Sequence, residues 1–445
     1  MPNEQPVQPT DPFPFRLLVQ KTKRVYYGWW LAAASVVIGF AGALNNYGFS
    51  VFFLPITKEL GLSRAQTSFV FSAARLEGGV EAPIAGWLTD KFGPRIMLLV
   101  GNILAGIGFI LLGTVVHSYW MLFLVWVFVA SLGFQTGFYT ALLAAMNLWF
   151  VRHRAKAISL ISSSNRVGGF IWTPLLAYLV VNEGWRTGAV VAGIAILVIT
   201  VPLSLLFHRS PESIGLRPDG DSADGATLST GEVVPRSQPE TADFTIKQAL
   251  KTPTFWLFAI AQFCRMVSFG AITVHMIPIL VWKGQGEQSA AYLFSLIPLI
   301  GIPMTLVYGV LGDRFSKQRI IAWATLVSAI AMILLSFGND VWLLYLFVLL
   351  YGVGEAVTPL MPALSGEFFG RRSFATIRGI MGSVTVIGPF LAPVYAGWVY
   401  DTTQSYLWAL VPFFVLKAAS VPLFWFLPRP RLPIPAASGP SGGRT

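Results

Sequence analysis

The sequence predicts an all-α membrane protein: 12 transmembrane helices in two six-helix, pseudo-symmetric halves. Three observations predict it. Only 11% of the 445 residues are charged and 55% are hydrophobic, with a mean hydropathy of +0.65, whereas about a quarter of a soluble domain is charged. Apolar runs of about 20 residues, the length that crosses a bilayer, recur along nearly the whole chain. Finally, Gly86-Trp87-Leu88-Thr89-Asp90-Lys91-Phe92-Gly93-Pro94-Arg95 returns as Gly309-Val310-Leu311-Gly312-Asp313-Arg314-Phe315-Ser316-Lys317-Gln318-Arg319, with Gly86, Asp90 and Phe92 matching Gly309, Asp313 and Phe315 at one offset of 223. A repeat at fixed offset marks a duplicated unit.

Each element follows in order. The N-terminal tail, 1–27, is polar and contains Pro, and no short apolar segment with a small-residue cleavage site precedes the first span, so no cleaved signal peptide is expected. Span one covers 28–53. Span two, 65–89, runs into the first acid-base-aromatic turn, and span three, 95–116, starts within a few residues of it. Spans four to six cover 119–146, 155–181 and 185–207, completing an N-terminal half at 28–208. Residues 209–252 are rich in Pro, Gly, Ser, Thr and Asp without apolar periodicity, and read as a disordered cytoplasmic linker with a short surface helix near 244–250. Spans seven and eight, 254–282 and 288–312, end in the second copy of the turn. Spans nine to twelve, 319–337, 341–366, 374–400 and 405–427, complete a C-terminal half at 253–428, before a tail at 429–445. Internal Gly and Pro in several spans blur their ends by a few residues.

The net charge of +11 is explained by where the bases fall. With residue 1 in the cytoplasm, 23 of the 31 Lys and Arg lie in cytoplasmic tails, loops and linker, 4 on the opposite side and 4 inside spans. The positive-inside rule then places both termini in the cytoplasm, and the plasma (inner) membrane is the expected location. A nucleic-acid partner is not expected. The single cysteine, Cys264, excludes an intramolecular disulfide and reads as a small packing residue.

A second set of matches shares an offset of 219: Gly133 with Gly352, Phe150 with Phe369, Arg152 with Arg371, Gly169 with Gly388, Pro174 with Pro393. Parallel repeats of six spans are a transporter architecture. The two acid-base turns resemble the loop signature of the major facilitator superfamily, and the whole chain fits its six-plus-six plan. The segment Gly48-Phe49-Ser50-Val51-Phe52-Phe53-Leu54-Pro55 followed by Glu59-Leu60-Gly61-Leu62-Ser63-Arg64-Ala65, with Tyr27-Gly28-Trp29-Trp30 at the entry to span one, further resembles the monocarboxylate transporter and oxalate/formate antiporter branch.

That resemblance implies a gating role for Asp90, Arg95, Asp313 and Arg319, which would latch neighbouring helices in one conformational state. Charges deeper in the bilayer cost about 2.5 to 3.5 kcal/mol each on insertion scales and need a reason. They are Arg75, Glu77 and Glu81 in span two, Arg166 in span five, Arg265 in span seven and Glu355 in span ten, with His275 nearer the outer end of span seven. Three arginines against three glutamates allow mutual ion pairing. Glu77 and Glu81 share a helix face and repel unless one is protonated or an Arg intervenes. Arg75 lies about 200° from Glu77 and cannot pair with it. By resemblance, spans one, four, seven and ten line the central cavity, which favours Arg265 for substrate and Glu355, with His275, for proton coupling. Arg75, Glu77, Glu81 and Arg166 then form a buried charge network. Asn46, Tyr47, Gln135, Tyr139 and Tyr351 complete a polar substrate site. Relatives in this branch carry charged groups within span eight, whereas 290–311 here contains none.

The expected function is secondary transport of a small organic anion, of the monocarboxylate class, by rocking of two halves about a midplane site, with proton symport and a monomeric functional unit. The alternatives are exchange or export of a neutral or cationic solute and, from another class, a non-transporting sensor. No enzyme is expected, and neither a cofactor nor a metal: His117, His153, His208 and His275 are scattered, and no Gly-rich phosphate loop follows a strand.

Overall fold

The computed structural model describes residues 26–150, 153–220, 244–370 and 374–430. The predicted N-terminal tail up to residue 25, most of the linker and the tail from 431 lie outside them, as do the side chains of Asp90 and Tyr139.

Ten helices are long and apolar enough to cross a membrane. Twelve crossings result, because two features hide from a hydropathy criterion. The 29-residue helix Arg64–Phe92 carries Arg75, Glu77 and Glu81 along its length. Arg154–Leu205 is one 52-residue helix by hydrogen bonding, yet Gly184 inside it has φ 83 and ψ 156. At 1.5 Å per residue an unbroken helix of that length would exceed twice the hydrocarbon core, and a glycine can adopt a positive φ without a Cβ clash. The spanning helices are α1 (Tyr27–Glu59), α2 (Arg64–Phe92), α3 (Pro94–Thr114), α4 (Tyr119–Trp149), α5 and α6 (Arg154–Leu205, before and after Gly184), α7 (Pro253–Trp282), α8 (Glu287–Arg314), α9 (Lys317–Phe337), α10 (Val341–Phe369), α11 (Thr376–Thr403) and α12 (Leu407–Trp425).

Local chemistry sets the ends. Ser63 and Gln66 form a reciprocal capping box at the start of α2, satisfying two otherwise orphaned N–H groups. Thr252 caps α7, with Pro253 at its first position. The short linker helix Ile246–Lys251 is capped by Thr245 and Gln248, and the Phe244 N–H donates to the Phe369 carbonyl at 3.1 Å, fastening it to the end of α10.

Several helices depart from regular α geometry at mid-length. In α4, Trp126–Ser131 and Phe134–Thr140 are π-helical. Backbone packing accompanies this: a Cβ at Gly101 of α3 would overlap the Gly137 backbone, and one at Gly133 would overlap Ala105. α10 loses its regular helix between Glu355 and Leu360, and α11 is interrupted at Val386. Freed backbone groups inside a membrane are tolerated where other protein groups surround them.

The halves, α1–α6 and α7–α12, meet along three helix pairs: α1 with α7, α2 with α11, and α5 with α8. Among the described residues, the hydrogen bonds between halves lie toward the end of the bundle opposite the two acid-base turns. The structure is therefore closed at that far end.

Candidate functional site

The best-defined polar centre joins α7, α9, α10 and α12. Arg265, fully buried, donates from Nη2 to Glu355 Oε2 at 2.7 Å and to Thr358 Oγ1 at 3.3 Å. Lys417, also fully buried, donates from Nζ to Glu355 Oε1, which in addition accepts from Ser328 Oγ at 3.2 Å. One carboxylate thus serves two cations. Arg265 Nε and Nη1 are buried without a hydrogen-bond partner, as are the hydroxyl of Tyr351 and Oε1 of Gln262. Lys417 Nζ lies 4.9 Å from the Tyr351 ring centroid. Protonating Glu355 would forfeit both ion pairs at once.

A second centre lies where the halves touch. Asn46 on α1 donates to Asn165 Oδ1 on α5 at 3.2 Å, and Asn165 donates to the Gly39 carbonyl at 3.3 Å. The Tyr47 ring packs over Gly169 and lies 5.8 Å from the Phe294 ring of α8. Beside them Arg166 reaches from α5 across to α8, where a Cβ at Gly301 would overlap its Nη1.

The predicted buried network of Arg75, Glu77, Glu81 and Arg166 is not one network among the described residues. Helix geometry separates its members: Arg75 stands over the Phe71 ring of its own helix at 4.8 Å, on a different face from the glutamates. Glu77 and Glu81 instead lie one helical turn apart on one face of α2, and Thr136 Oγ1 of α4 donates to Glu81 Oε1. Gln135 packs on Gly78 between them, at a place where a Cβ would overlap its side-chain amide. The expected balance of three arginines and three glutamates likewise does not hold, because Lys417 is the second cation on Glu355.

His275 joins the far-end closure. Asp401 of α11 accepts from the backbone N–H groups of Arg64 and Ala65 at 3.0 and 2.9 Å, capping α2 from the other half. Gly397 permits the approach, since a Cβ there would lie 2.6 Å from Ala65 N. Arg64 Nη1 donates to the Tyr406 hydroxyl at 2.6 Å and its guanidinium stacks 3.4 Å over the Tyr400 ring. His275 Nδ1 lies 2.9 Å from that hydroxyl, and Nε2 lies 2.9 Å from the Pro393 carbonyl and 2.8 Å from Ser68 Oγ. A carbonyl only accepts and Ser68 already donates to the Arg64 carbonyl, so these partners fit a neutral ring with its proton on Nε2.

At the turn end, Arg95, Asp313 and Arg319 are exposed. Arg319 lies 5.9 Å from the Trp425 ring centroid, and Glu367 of α10 takes Lys317 at 3.0 Å and Arg429 at 3.4 Å. These contacts stay within one half.

Twelve crossings, an inner repeat and polar centres where two six-helix halves meet agree with the sequence comparison: the profile described as Major Facilitator Superfamily matches residues 35–307 and 276–444. The chain belongs to the major facilitator superfamily. Within the superfamily it is 25% identical over 404 residues to Monocarboxylate transporter 12-B of Danio rerio, covering 85% of this chain and 82% of the relative. It is 27% identical to the Probable sulfoacetate transporter SauU of Cupriavidus necator, over 82% of this chain and 86% of the relative. Solved structures agree on the superfamily fold: a D-xylose-proton symporter superposes with a TM-score of 0.73 at 13% identity, covering 91% of this chain and 99% of the other. A bacterial homolog of the human lysosomal transporter Spinster, in an inward-facing and unoccupied conformation, superposes at 0.67 with 17% identity, covering 91% and 96%. The protein is a membrane transporter and not an enzyme.

Sequence reasoning missed two groups of residues in this superfamily member. Lys417 was visible as a base inside span twelve, and a count of all intramembrane cations against acids would have singled it out. Asp401 and Tyr406 carried no signal, because they sit at loop edges where polar residues are ordinary, and Arg64 stood out only as part of the branch-like segment.

Proposed function

We propose that the protein is a secondary transporter of a small organic anion, of the monocarboxylate class, moved together with a proton by alternating access. The observation that carries this reading is the excess of positive charge inside the bundle. Arg265 and Lys417 share the single carboxylate of Glu355, and Arg265 Nε and Nη1 have no hydrogen-bond partner among the described residues. Each is a charged N–H donor of the kind a carboxylate oxygen accepts. The curated relatives, by their names, move monocarboxylates and sulfoacetate, which are organic anions. Arg265 and Glu355, with Asn46, Tyr47, Gln135, Tyr139 and Tyr351, are the proposed cavity residues, and Asp90, Arg95, Asp313 and Arg319 the proposed latches at the turn end. The turn end is assigned to the cytoplasm of a plasma (inner) membrane by its basic loops, so the closed far end makes this an inward-facing arrangement.

Proton coupling is supported by the Glu77 and Glu81 pair, two carboxyl groups one helical turn apart that repel unless one is protonated, and by Glu355, whose release from Arg265 would free it to accept a proton. The test is uptake of labelled lactate and acetate into proteoliposomes, with and without a pH gradient acidic on the outside, which directs protons inward. Accumulation that rises with the gradient is expected. Uptake indifferent to the gradient would remove the symport claim, and uptake of neutral solutes with none of organic anions would remove the substrate class.

A further inference from the structure

We propose that Arg166 is the residue that recognises the anionic group of the substrate, and that Gly301 is what allows it to do so from both halves at once. This rests on the reading of the protein as an organic-anion transporter and goes further by naming the anion's primary contact, which the sequence alone placed in a structural network.

The intramembrane arginines differ in what surrounds them. Arg265 has its acid in Glu355, and Arg75 stands over the ring of Phe71. Arg166 is half-buried and has no hydrogen-bond or ion-pair partner among the described residues. On the α1 side Tyr47 packs over Gly169, three residues along α5, and Asn46 is tied to its neighbour Asn165; from α8 it is faced by Gly301. None of these groups carries a charge. A guanidinium held part-way across a bilayer without an acid is costly, and an anion seated on its fork would offset that cost.

Position adds to chemistry. Arg166 belongs to the first half, and its Nη1 rests on Gly301 of the second, at a point where any Cβ would overlap it. The guanidinium therefore spans the surface along which the two halves must rock. Tyr47 and Phe294, with ring centroids 5.8 Å apart, give an aromatic wall next to this polar point, which suits a short aliphatic carboxylate: one charged end on Arg166 and an apolar end against the rings. An empty carrier closing over Arg166 buries an unpaired charge, whereas a loaded one buries a neutral pair, so the loaded form closes more readily.

The experiment compares wild type with Arg166→Gln, Arg166→Lys, Gly301→Val and Arg265→Lys, by thermal shift of detergent-purified protein with lactate or acetate and by uptake into proteoliposomes. Arg166→Gln is expected to melt at the wild-type temperature or above without ligand, to lose the lactate-induced shift, and to raise the KM for lactate about tenfold or more, as loss of a charge-assisted hydrogen bond would. Arg166→Lys restores part of the affinity, and Gly301→Val, which pushes the guanidinium away without removing it, weakens binding in the same direction. Lactate binding and KM unchanged in both Arg166→Gln and Gly301→Val would overturn the inference while leaving anion transport standing, and loss confined to Arg265→Lys would place the anion there instead. A wild-type protein neither stabilised by nor transporting either carboxylate would overturn both the inference and the reading beneath it.

Discussion

At the scale of single residues, the Glu355 centre makes an unequal prediction for its partners. Removing one partner of a buried pair leaves the other charge uncompensated, at a cost of about 3 to 5 kcal/mol. Glu355→Gln strands Arg265 and Lys417 together and is expected to lower the unfolding midpoint in detergent substantially. Lys417→Met removes one of two cations from a single carboxylate and is expected to lower it less, or to leave it unchanged. A Glu355→Gln protein as stable as wild type would show that these three groups are not paired as described. The carboxyl pair on α2 predicts something different. Glu77 and Glu81 lie one turn apart on one helix face, so either single Gln substitution removes their mutual repulsion and is expected to keep a folded protein. The double variant Glu77→Gln with Glu81→Gln has no group there to gain or lose a proton. Its uptake is expected to respond less to an imposed pH gradient, measured as the ratio of uptake with and without the gradient, and an unchanged ratio would remove these residues from coupling.

At the scale of elements, the far-end closure depends on one half capping a helix of the other. The Asp401 carboxylate takes two of the backbone N–H groups that the first turn of α2 cannot satisfy internally. Asp401→Ala forfeits a cap worth about 0.5 to 2 kcal/mol, and the cost falls only on the closed arrangement. The population with an open far end is expected to rise. In a Cys264→Ser background, a cysteine replacing Ser68, which is buried against His275, reports it through faster reaction with a soluble maleimide when Asp401→Ala is added. Equal rates would mean that the cap does not hold the halves together. The irregular stretches of α4, α10 and α11 were not legible in sequence. The π-helical stretches of α4 lie where glycines such as Gly133 and Gly137 let α3 and α4 approach, and a hydropathy window records only that the run is apolar.

At the scale of the whole molecule, orientation follows from charge and can be tested without knowing any substrate. With Cys264 replaced by Ser, a cysteine at Ser222 in the linker is expected to resist an impermeant thiol reagent in intact cells, and one at Gln285 between α7 and α8 to react. The reverse pattern would invert the topology and turn the closed far end toward the cytoplasm. Rocking of the halves about the midplane then follows as an expectation of their parallel repeat. The contacts between the halves lie on α1, α2, α5, α7, α8 and α11, where such a movement would act.

The sequence by itself determined the architecture, because a bilayer forces each apolar run of about 20 residues into a crossing helix and a duplication repeats its turn at a constant offset. It also determined which residues were costly, since a charge inside a span is visible whatever it touches. It could not decide their partners. Arg265 was read for substrate and Glu355 for proton coupling, and the structure pairs the two and adds Lys417, 62 residues further along from Glu355. Arg166 was read as one of a charged network, and only the packing of α5 on α8 shows it set against a glycine instead of an acid. Pairing across helices depends on rotation and depth in the bundle, which the order of residues along one helix does not contain. Tertiary structure alone decided which charges pair with one another and which stand without a partner among the described residues.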